Sequence, residues 1–470
     1  MSFDLPYLPE GWNYKSLEDC ARKQSISYGV VQPGTALADG IPIIRVNNFN
    51  NGRIELADLM KISPEIETKY SRTRLVGGEV LITLVGSVGQ VAVAPVTVAG
   101  FNVARAVAVI HPIDGISPDW IAICLRSPLS QHLLVSRANT TVQTTINLKD
   151  LRALPLPIPP KEERDQIESL ITTLDDRIAL LRETNATLEA MAQALFKSWF
   201  VDFDPVHANA STKQMINPAS SPSDFVGDPA VPLDSRLRGN DDLLPPELQT
   251  LFPATFTASS QGLVPEGWEM GSILELANLI GGGTPKTDRA EYWDGDISWA
   301  SAKDVSQAKN LFLIETERTI TAQGLKESAT KLIPAFSSVI VARGATTGRM
   351  VLFGANIAMN QTCYALASKH AAPFFLNLFM QREIQSLTQR AHGSVFDTIT
   401  TNTFSTSKTL LIPAQLQVAF EGIVSPVFEG ILENTKQAQT LATLRDTLLP
   451  RLISGQLRLP EAEAALAEVG

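Results

Sequence analysis

The chain has 470 residues, 44% apolar and 19% charged, a balance that excludes intrinsic disorder and leaves room for roughly two to four packed domains. Its net charge of −10 argues at first against a nucleic-acid partner, but the charge is unevenly placed. Residues 1–160 carry +1 and residues 264–413 carry 0, whereas 161–203, 204–263 and 414–470 carry −4, −4 and −3. Two near-neutral blocks therefore remain candidates for reading DNA, with a partner supplying much of the phosphate attraction. Cys20, Cys124 and Cys363 are odd in number, far apart and without metal-ligand spacing, which points to reduced, buried thiols in a cytoplasmic protein. The first residues, MSFDLPYLPEGW, have neither a basic n-region nor an apolar h-region, so nothing marks the chain for export.

In chain order, the first signal is LPEGW at residues 8–12, which returns as VPEGW at residues 264–268. Proline presets φ and glycine permits positive φ, so the motif is a turn, and it opens a block twice. At the same offset of 256, IPIIR (41–45) faces ISWAS (297–301). Residues 80–104 carry no formal charge and are long enough to cross a bilayer. Gly86, Gly89, Pro95 and Gly100 interrupt them, however, and VLITLV and VAVAPVTV read as buried strands joined by a Gly-Ser-Val-Gly turn. VLITLVGSVGQ (80–90) faces VIVARGATTGR (339–349), where Arg343 and Arg349 further exclude a membrane span. Arg137-Ala138, Val142 and Thr145-Ile146 face Arg390-Ala391, Val395 and Thr398-Ile399. Both copies then reach an apolar run ending in proline, LPLPIPP (154–160) and LLIP (410–413). Each copy reads as a mixed, strand-rich lobe.

A helix follows each copy. Ile171, Leu174, Ile178, Leu181, Asn185, Leu188, Ala192, Leu195 and Trp199 step alternately by three and four, a heptad seam. Phe420, Val424, Val427, Ile431, Asn434, Ala438, Leu441, Arg445, Leu448 and Leu452 step in the same way. Neither seam buries itself alone; the economical arrangement is an antiparallel coiled coil, the alternative being a helix packed only on its own lobe. Asn185 and Asn434 interrupt the seams and are expected to fix register. Residues 204–263 are rich in Pro, Ser, Asp and Asn and read as a flexible linker. Within it, LDSRLRGNDD resembles the translated repetitive elements inserted in many bacterial genomes, a passenger without function. The division is thus a first lobe at 1–160, a helix at 161–203, the linker at 204–263, a second lobe at 264–413 and a helix at 414–458.

Catalytic signatures are missing. GGGTPKT (281–287) has the wrong spacing for a P-loop, and GSVG (86–89) is one residue short of a nucleophile elbow. His111, His132, His207, His370 and His392 show no metalloprotease pairing, and no dinucleotide fingerprint or amino-methyltransferase tetrapeptide occurs. Asp202 and Asp204 lack a third carboxylate and suit a surface or capping role.

The opening Pro-Glu-Gly-Trp turn, GGGTPKTDRAEYWDGDISWASAKDV (281–305), VIVARGATTG and the run from LLIP into a heptad helix resemble the specificity subunit of type I restriction-modification enzymes. SYGVVQPG (27–34), GIPIIRVNNF (40–49), LITLVGSVGQ and PPKEERDQI carry the resemblance through the first half. It covers about 400 residues, all but the linker and the ends, and only the linker's length departs from the usual pattern. The resemblance implies an α+β chain with two duplicated target recognition domains separated by two long antiparallel coiled-coil helices. It further implies a non-catalytic subunit whose domains each read one half of a bipartite, asymmetric sequence in double-stranded DNA. The helices would dock methyltransferase subunits, and through them restriction/translocase subunits. S-adenosylmethionine, ATP and Mg are then expected on those partners, with no cofactor or metal on this chain and no membrane contact.

About 35 helical residues at roughly 1.5 Å each make a spacer of about 50 Å, enough to address major grooves one turn apart. The candidate readers are polar side chains in lobe loops, suited to base edges or phosphate. In the first lobe they are Arg45, Asn47, Asn48, Ser87, Gln90, Arg105, Gln143 and Thr144. In the second they are Thr284, Lys286, Lys303, Arg343, Thr346, Thr347, Arg349, Asn360 and Gln361. The rival readings are a self-sufficient methyltransferase or nuclease, for which a cofactor motif is missing, and a structural coiled-coil scaffold, which leaves the duplicated lobes unexplained.

Overall fold

A computed structural model of the chain describes residues 5–50, 52–137, 145–216, 244–259, 262–391 and 398–467. The repeated turn performs the same task twice. The Pro9 carbonyl accepts the Trp12 N–H at 3.1 Å with Gly11 at φ +85°, and Pro265 accepts Trp268 at 3.2 Å with Gly267 at φ +82°. Each turn aims the chain into a strand that pairs antiparallel with the last strand of its own lobe. Asn13–Ser16 pairs with Pro155–Ile158, and Glu269–Gly271 pairs with Thr409–Leu411. A lobe is thereby closed just before its long helix begins.

The chain divides into two units, Met1–Ala179 with Gln439–Gly470, and Leu180–Ala438. In the first, a four-stranded sheet runs in the order Ser27–Tyr28, Val107–Ile110, Val80–Thr83 and Val91–Val93. A three-stranded sheet of Met60–Ile62, Ile41–Ile44 and Asn102–Val103 lies beside it in sequence. In the second, a five-stranded sheet runs Ala277–Gly281, Cys363–Ser368, Ser338–Val341, Met350–Phe353 and Phe312–Leu313. A four-stranded sheet contains Trp293–Ala300 next to Ile357–Met359. The uncharged stretch expected as strands is Val80–Thr83 and Val91–Val93, paired antiparallel and almost wholly buried. Among the described residues no helix is long and apolar enough to cross a membrane. All three cysteines are free and buried; burial pushes the Cys20 thiol up to about 11 and Cys363 to about 12.

Helices cover the sheets. Pro118–Arg126 and Pro128–Ser136 follow one another in the first unit, broken where Pro128 lacks an N–H and Ser127 caps the second helix. The second unit has one uninterrupted helix there, Pro373–Ala391.

The two heptad segments form helices of 40 residues each, Lys161–Phe200 and Ala414–Ile453. In the first unit Ile167 and Ile171 share a core with Leu448, Leu449, Leu452 and Ile453. In the second, Ala192, Phe196 and Trp199 share one with Phe420, Val424, Phe428 and Ile431. The start of each helix meets the end of the other, so the pair is antiparallel. The second seam is not purely heptad: Phe428, beside the expected Val427, is fully buried and stacks on Phe374 at 4.6 Å. Arg445 keeps its seam position by pairing with Asp175 at 2.7 Å, and Asp175 also takes Arg126 at 2.9 Å. Asn434 donates to the Asn185 side-chain oxygen at 2.9 Å, while Asn185 donates to the Ile431 carbonyl and the Thr435 hydroxyl.

The expected flexible linker at 204–263 is corrected at both ends. Asp204–Ile216 and Pro246–Gln249 are helical, and Phe256–Ser259 pairs antiparallel with Gly262–Pro265. Buried Val206 and Phe252 anchor these pieces in the second unit's core. The Asn209 amide donates to the Gln249 and Phe252 carbonyls, and Gln249 donates to the Pro205 carbonyl and the Asn209 side chain. A polar composition hid two apolar anchors and this amide clasp. The LDSRLRGNDD piece lies outside the described residues. Asp202 takes an ion pair from Lys197 and Asp204 accepts the Ser198 hydroxyl, a surface role for both.

Candidate nucleic-acid interface

Of the described residues proposed to read DNA, Lys303 lies in the helix Ala302–Gln307 and Asn47 and Asn48 in the 3-10 turn Val46–Asn48, rather than on open loops as expected. The others sit on loops, and the two lobes build those loops on one backbone scheme. Leu84 N–H donates to the Ala106 carbonyl at 2.7 Å, as Ala342 does to Thr362 at 2.8 Å. Ile146 N–H donates to Leu84 at 3.0 Å, as Ile399 does to Ala342 at 2.9 Å. Ala104 N–H donates to Ile44 at 2.9 Å, as Asn360 does to Ala300 at 3.0 Å. Isolated antiparallel bridges then join Val85 to Thr145 and Arg343 to Thr398. In each lobe a glycine-bounded turn, the loop after a parallel-paired strand and the segment leading to the last short helix converge at one end of the main sheet.

The first turn holds exposed Ser87 between Gly86 at φ +79° and Gly89 at φ +86°, with exposed Gln90 directly after it. Thr83 closes it: its hydroxyl donates to the Ser87 carbonyl and accepts the Gln90 N–H. Arg105 is exposed beside this turn, its backbone N–H held by Val30. Arg45, Asn47 and Asn48 follow strand Ile41–Ile44, and they divide by role. Asn47 is exposed. Asn48 is 1% exposed, accepts the Arg45 N–H and donates to the Ala57 carbonyl, so it shapes its loop from inside and cannot reach a base. Arg45 is half-buried with one guanidinium nitrogen on the Asp58 carbonyl and a buried Nε without a hydrogen-bond partner. Gln143 and Thr144 lie outside the described residues.

In the second lobe Thr346 and Thr347 occupy the matching turn, between Gly344 at φ +99° and Gly348 at φ +91°, and Arg343 and Arg349 flank it on either side. Both arginines are exposed, and Thr347 closes the turn through its hydroxyl to the Gly344 carbonyl at 2.7 Å. Thr284 donates to the Gln361 side chain, which brings the GGGTPKT loop against the loop equivalent to that of Arg105. Asn360 accepts the Thr362 N–H and hydroxyl and serves as a loop support. Lys286 is exposed, whereas Lys303 donates to Glu317 at 2.7 Å. That hydrogen bond and charge hold its ammonium above the ordinary lysine value, and the positive charge is shared locally.

Several contributors were not singled out from the sequence. The Trp299 indole N–H donates to the Gly283 carbonyl at 3.0 Å and Trp293 to the Lys286 carbonyl at 3.1 Å. These indoles pin the loop that carries Thr284 and Lys286. Gly29 and Gly282 permit a close approach: a Cβ at either position would lie 2.1 Å from a backbone oxygen, of Val103 or of Asn360. Their offset is 253 rather than 256, which hid the correspondence. Thr145 and Thr398 belong to the repeated Thr-Ile pair, the one signal that marked these bridge positions.

The model of the type I restriction modification DNA specificity domain matches residues 9–190 and 265–440. The HindI specificity subunit of Haemophilus influenzae is 30% identical over 338 residues, covering 68% of this chain and 72% of that protein. The EcoBI specificity subunit of Escherichia coli is 36% identical over 198 residues, covering 40% of this chain and 42% of that protein. Among solved structures, the S subunit of a type I restriction-modification system from M. genitalium superposes with a TM-score of 0.54 at 14% identity. That likeness in fold extends over 95% of this chain and 98% of that one.

Proposed function

Since the chain belongs to the family of type I restriction-modification DNA specificity subunits, we propose that each lobe reads one half of a bipartite, asymmetric DNA sequence. The observation that carries this reading is one backbone scheme presenting two different sets of side chains. Ser87, Gln90 and Arg105 stand where the second lobe has Thr346, Arg349 and Gln361. One frame with two sets of donors and acceptors suits two related grooves with unlike bases.

The target recognition domains are residues 1–160 and 264–413, and the antiparallel helix pair sets the number of unspecified bases between half-sites. The chain performs no chemistry. Methyltransferase subunits dock on the helices with S-adenosylmethionine, and restriction/translocase subunits bring ATP and Mg. Within a lobe, the exposed residues of the turn and of the Arg105 or Gln361 loop contact base edges. Asn48 and Asn360 hold the loops in shape. The acidic helices and neutral lobes give the chain alone little attraction for phosphate, so affinity depends on the methyltransferase partner.

A titration of the purified chain into labelled duplex, with and without methyltransferase subunits, tests this. Weak, salt-sensitive binding by the chain alone and tight, sequence-specific binding by the complex are expected. Tight, salt-insensitive, specific binding by the lone chain contradicts it.

A further inference from the structure

Each long helix carries a glutamate at its eighth residue, Glu168 in Lys161–Phe200 and Glu421 in Ala414–Ile453. Both meet the N-terminus of the helix that covers their own lobe's sheet, by different chemistry. In the first lobe the residue before the helix is Ser117, whose hydroxyl donates to Glu168 and accepts the Trp120 N–H at 3.0 Å. In the second, the residue before the helix is Ala372, which has no hydroxyl. There the carboxylate itself caps, taking the Phe374 N–H at 3.1 Å and the Phe375 N–H at 2.8 Å. The first helical N–H groups have no intrahelical partner and carry the positive end of the helix dipole, so a carboxylate suits both ends.

The helix so held reaches the reading turn itself in the second lobe, and in the first through the helix that follows it. Gln131, on the second of the first lobe's paired helices, donates to the Gly89 carbonyl at 2.9 Å. Thr388, near the end of Pro373–Ala391, lies against Gly348, where an added Cβ would come within 2.5 Å of its methyl group. Gly89 and Gly348 close the two turns.

We propose that Glu168 and Glu421 are positioning residues for DNA reading, each fixing the angle at which its own lobe, and hence its turn, stands on the helix that follows. The inference rests on the reading of the lobes as half-site readers. Repetition of the contact at one helical position, with the capping chemistry exchanged between hydroxyl and carboxylate, separates it from an incidental hydrogen bond. Glu421 is 7% exposed, and burial raises both carboxyl groups above the ordinary glutamate value. A carboxylate kept in such surroundings argues for a positional role.

The test uses the full chain assembled with its methyltransferase subunits. Methylation rates are measured on the target and on duplexes that each carry one substituted base, for wild type, Glu168→Ala, Glu421→Ala and Glu421→Gln. Glu421→Ala is expected to lose about tenfold of discrimination at bases of the second lobe's half-site, the size of one mismatch, and to leave the first half unchanged. Glu168→Ala mirrors this. Glu421→Gln keeps one oxygen to accept one of the two N–H groups but turns its NH2 toward the other, so it is expected to restore only part of the loss. If Glu421→Ala does not assemble, Ser117→Ala, which removes a single hydroxyl, carries the test in the first lobe. An unchanged profile, equal loss in both halves, or no rescue by glutamine overturns the proposal. If the wild-type panel itself shows no two-part target, the half-site reading fails, and that outcome is separate from the behaviour of the variants.

Discussion

Asn185 and Asn434 meet inside an apolar seam, where an unpaired amide is costly and a paired one is worth about 1 kcal/mol. The contact has register in it: Asn185 also reaches the Ile431 carbonyl and Thr435 hydroxyl, which lie one helical turn apart. Sliding either helix by a turn separates all three partners. A double-mutant cycle of Asn185→Ala and Asn434→Ala, followed by chemical denaturation, is expected to give single losses of about 1 kcal/mol each. The double mutant should lose less than the sum, because both substitutions remove the same bond. Strict additivity contradicts the register role. At this scale the sequence exposes residue type but not burial. It marks both asparagines as seam interruptions, yet it offers no means of separating exposed Asn47 from buried Asn48, or exposed Lys286 from ion-paired Lys303.

At the scale of elements, the Gly-rich loop of the second lobe is shaped by the strand that follows it. Trp293 and Trp299 lie at the two ends of Trp293–Ala300, pack edge to face at 5.2 Å and hold two carbonyls of the loop. Trp299→Phe keeps an aromatic ring but is smaller and deletes the N–H, which leaves the Gly283 carbonyl unpaired in a buried site at a cost of about 1–3 kcal/mol, to which the lost ring volume adds. Denaturation should register that loss, and discrimination at the second half-site should weaken while the first is retained. A variant as stable and as selective as wild type would remove the loop from the account. The turns, their strands and the long helices were legible because apolar period and glycine placement are local signals. The short helices and hairpin within 204–263 were not, because their stability comes from Val206, Phe252 and the Asn209–Gln249 clasp, which are distant in sequence. The indole clamps were hidden for the same reason.

At the scale of the whole molecule, the order lobe–helix–lobe–helix was readable from the repeated Pro-Glu-Gly-Trp turn and the paired heptads. The pairing of the helices was readable from the need to bury both seams, and the antiparallel sense from the way a duplicated lobe–helix unit closes on itself with pseudo-two-fold symmetry. The closing strands add a constraint that a repeat alone does not supply. Thr409–Leu411 pairs with Glu269–Gly271, so a transplanted second lobe must include its last strand. The independence of the two readers is the central claim, and exchanging residues 264–413 for the matching lobe of a relative tests it most directly. The readout is the methylated sequence in a host genome before and after exchange. The half read by the second lobe should change, while the half read by residues 1–160 and the number of unspecified bases stay as they were. If both halves change together, recognition comes from a composite surface and the two-reader account is wrong.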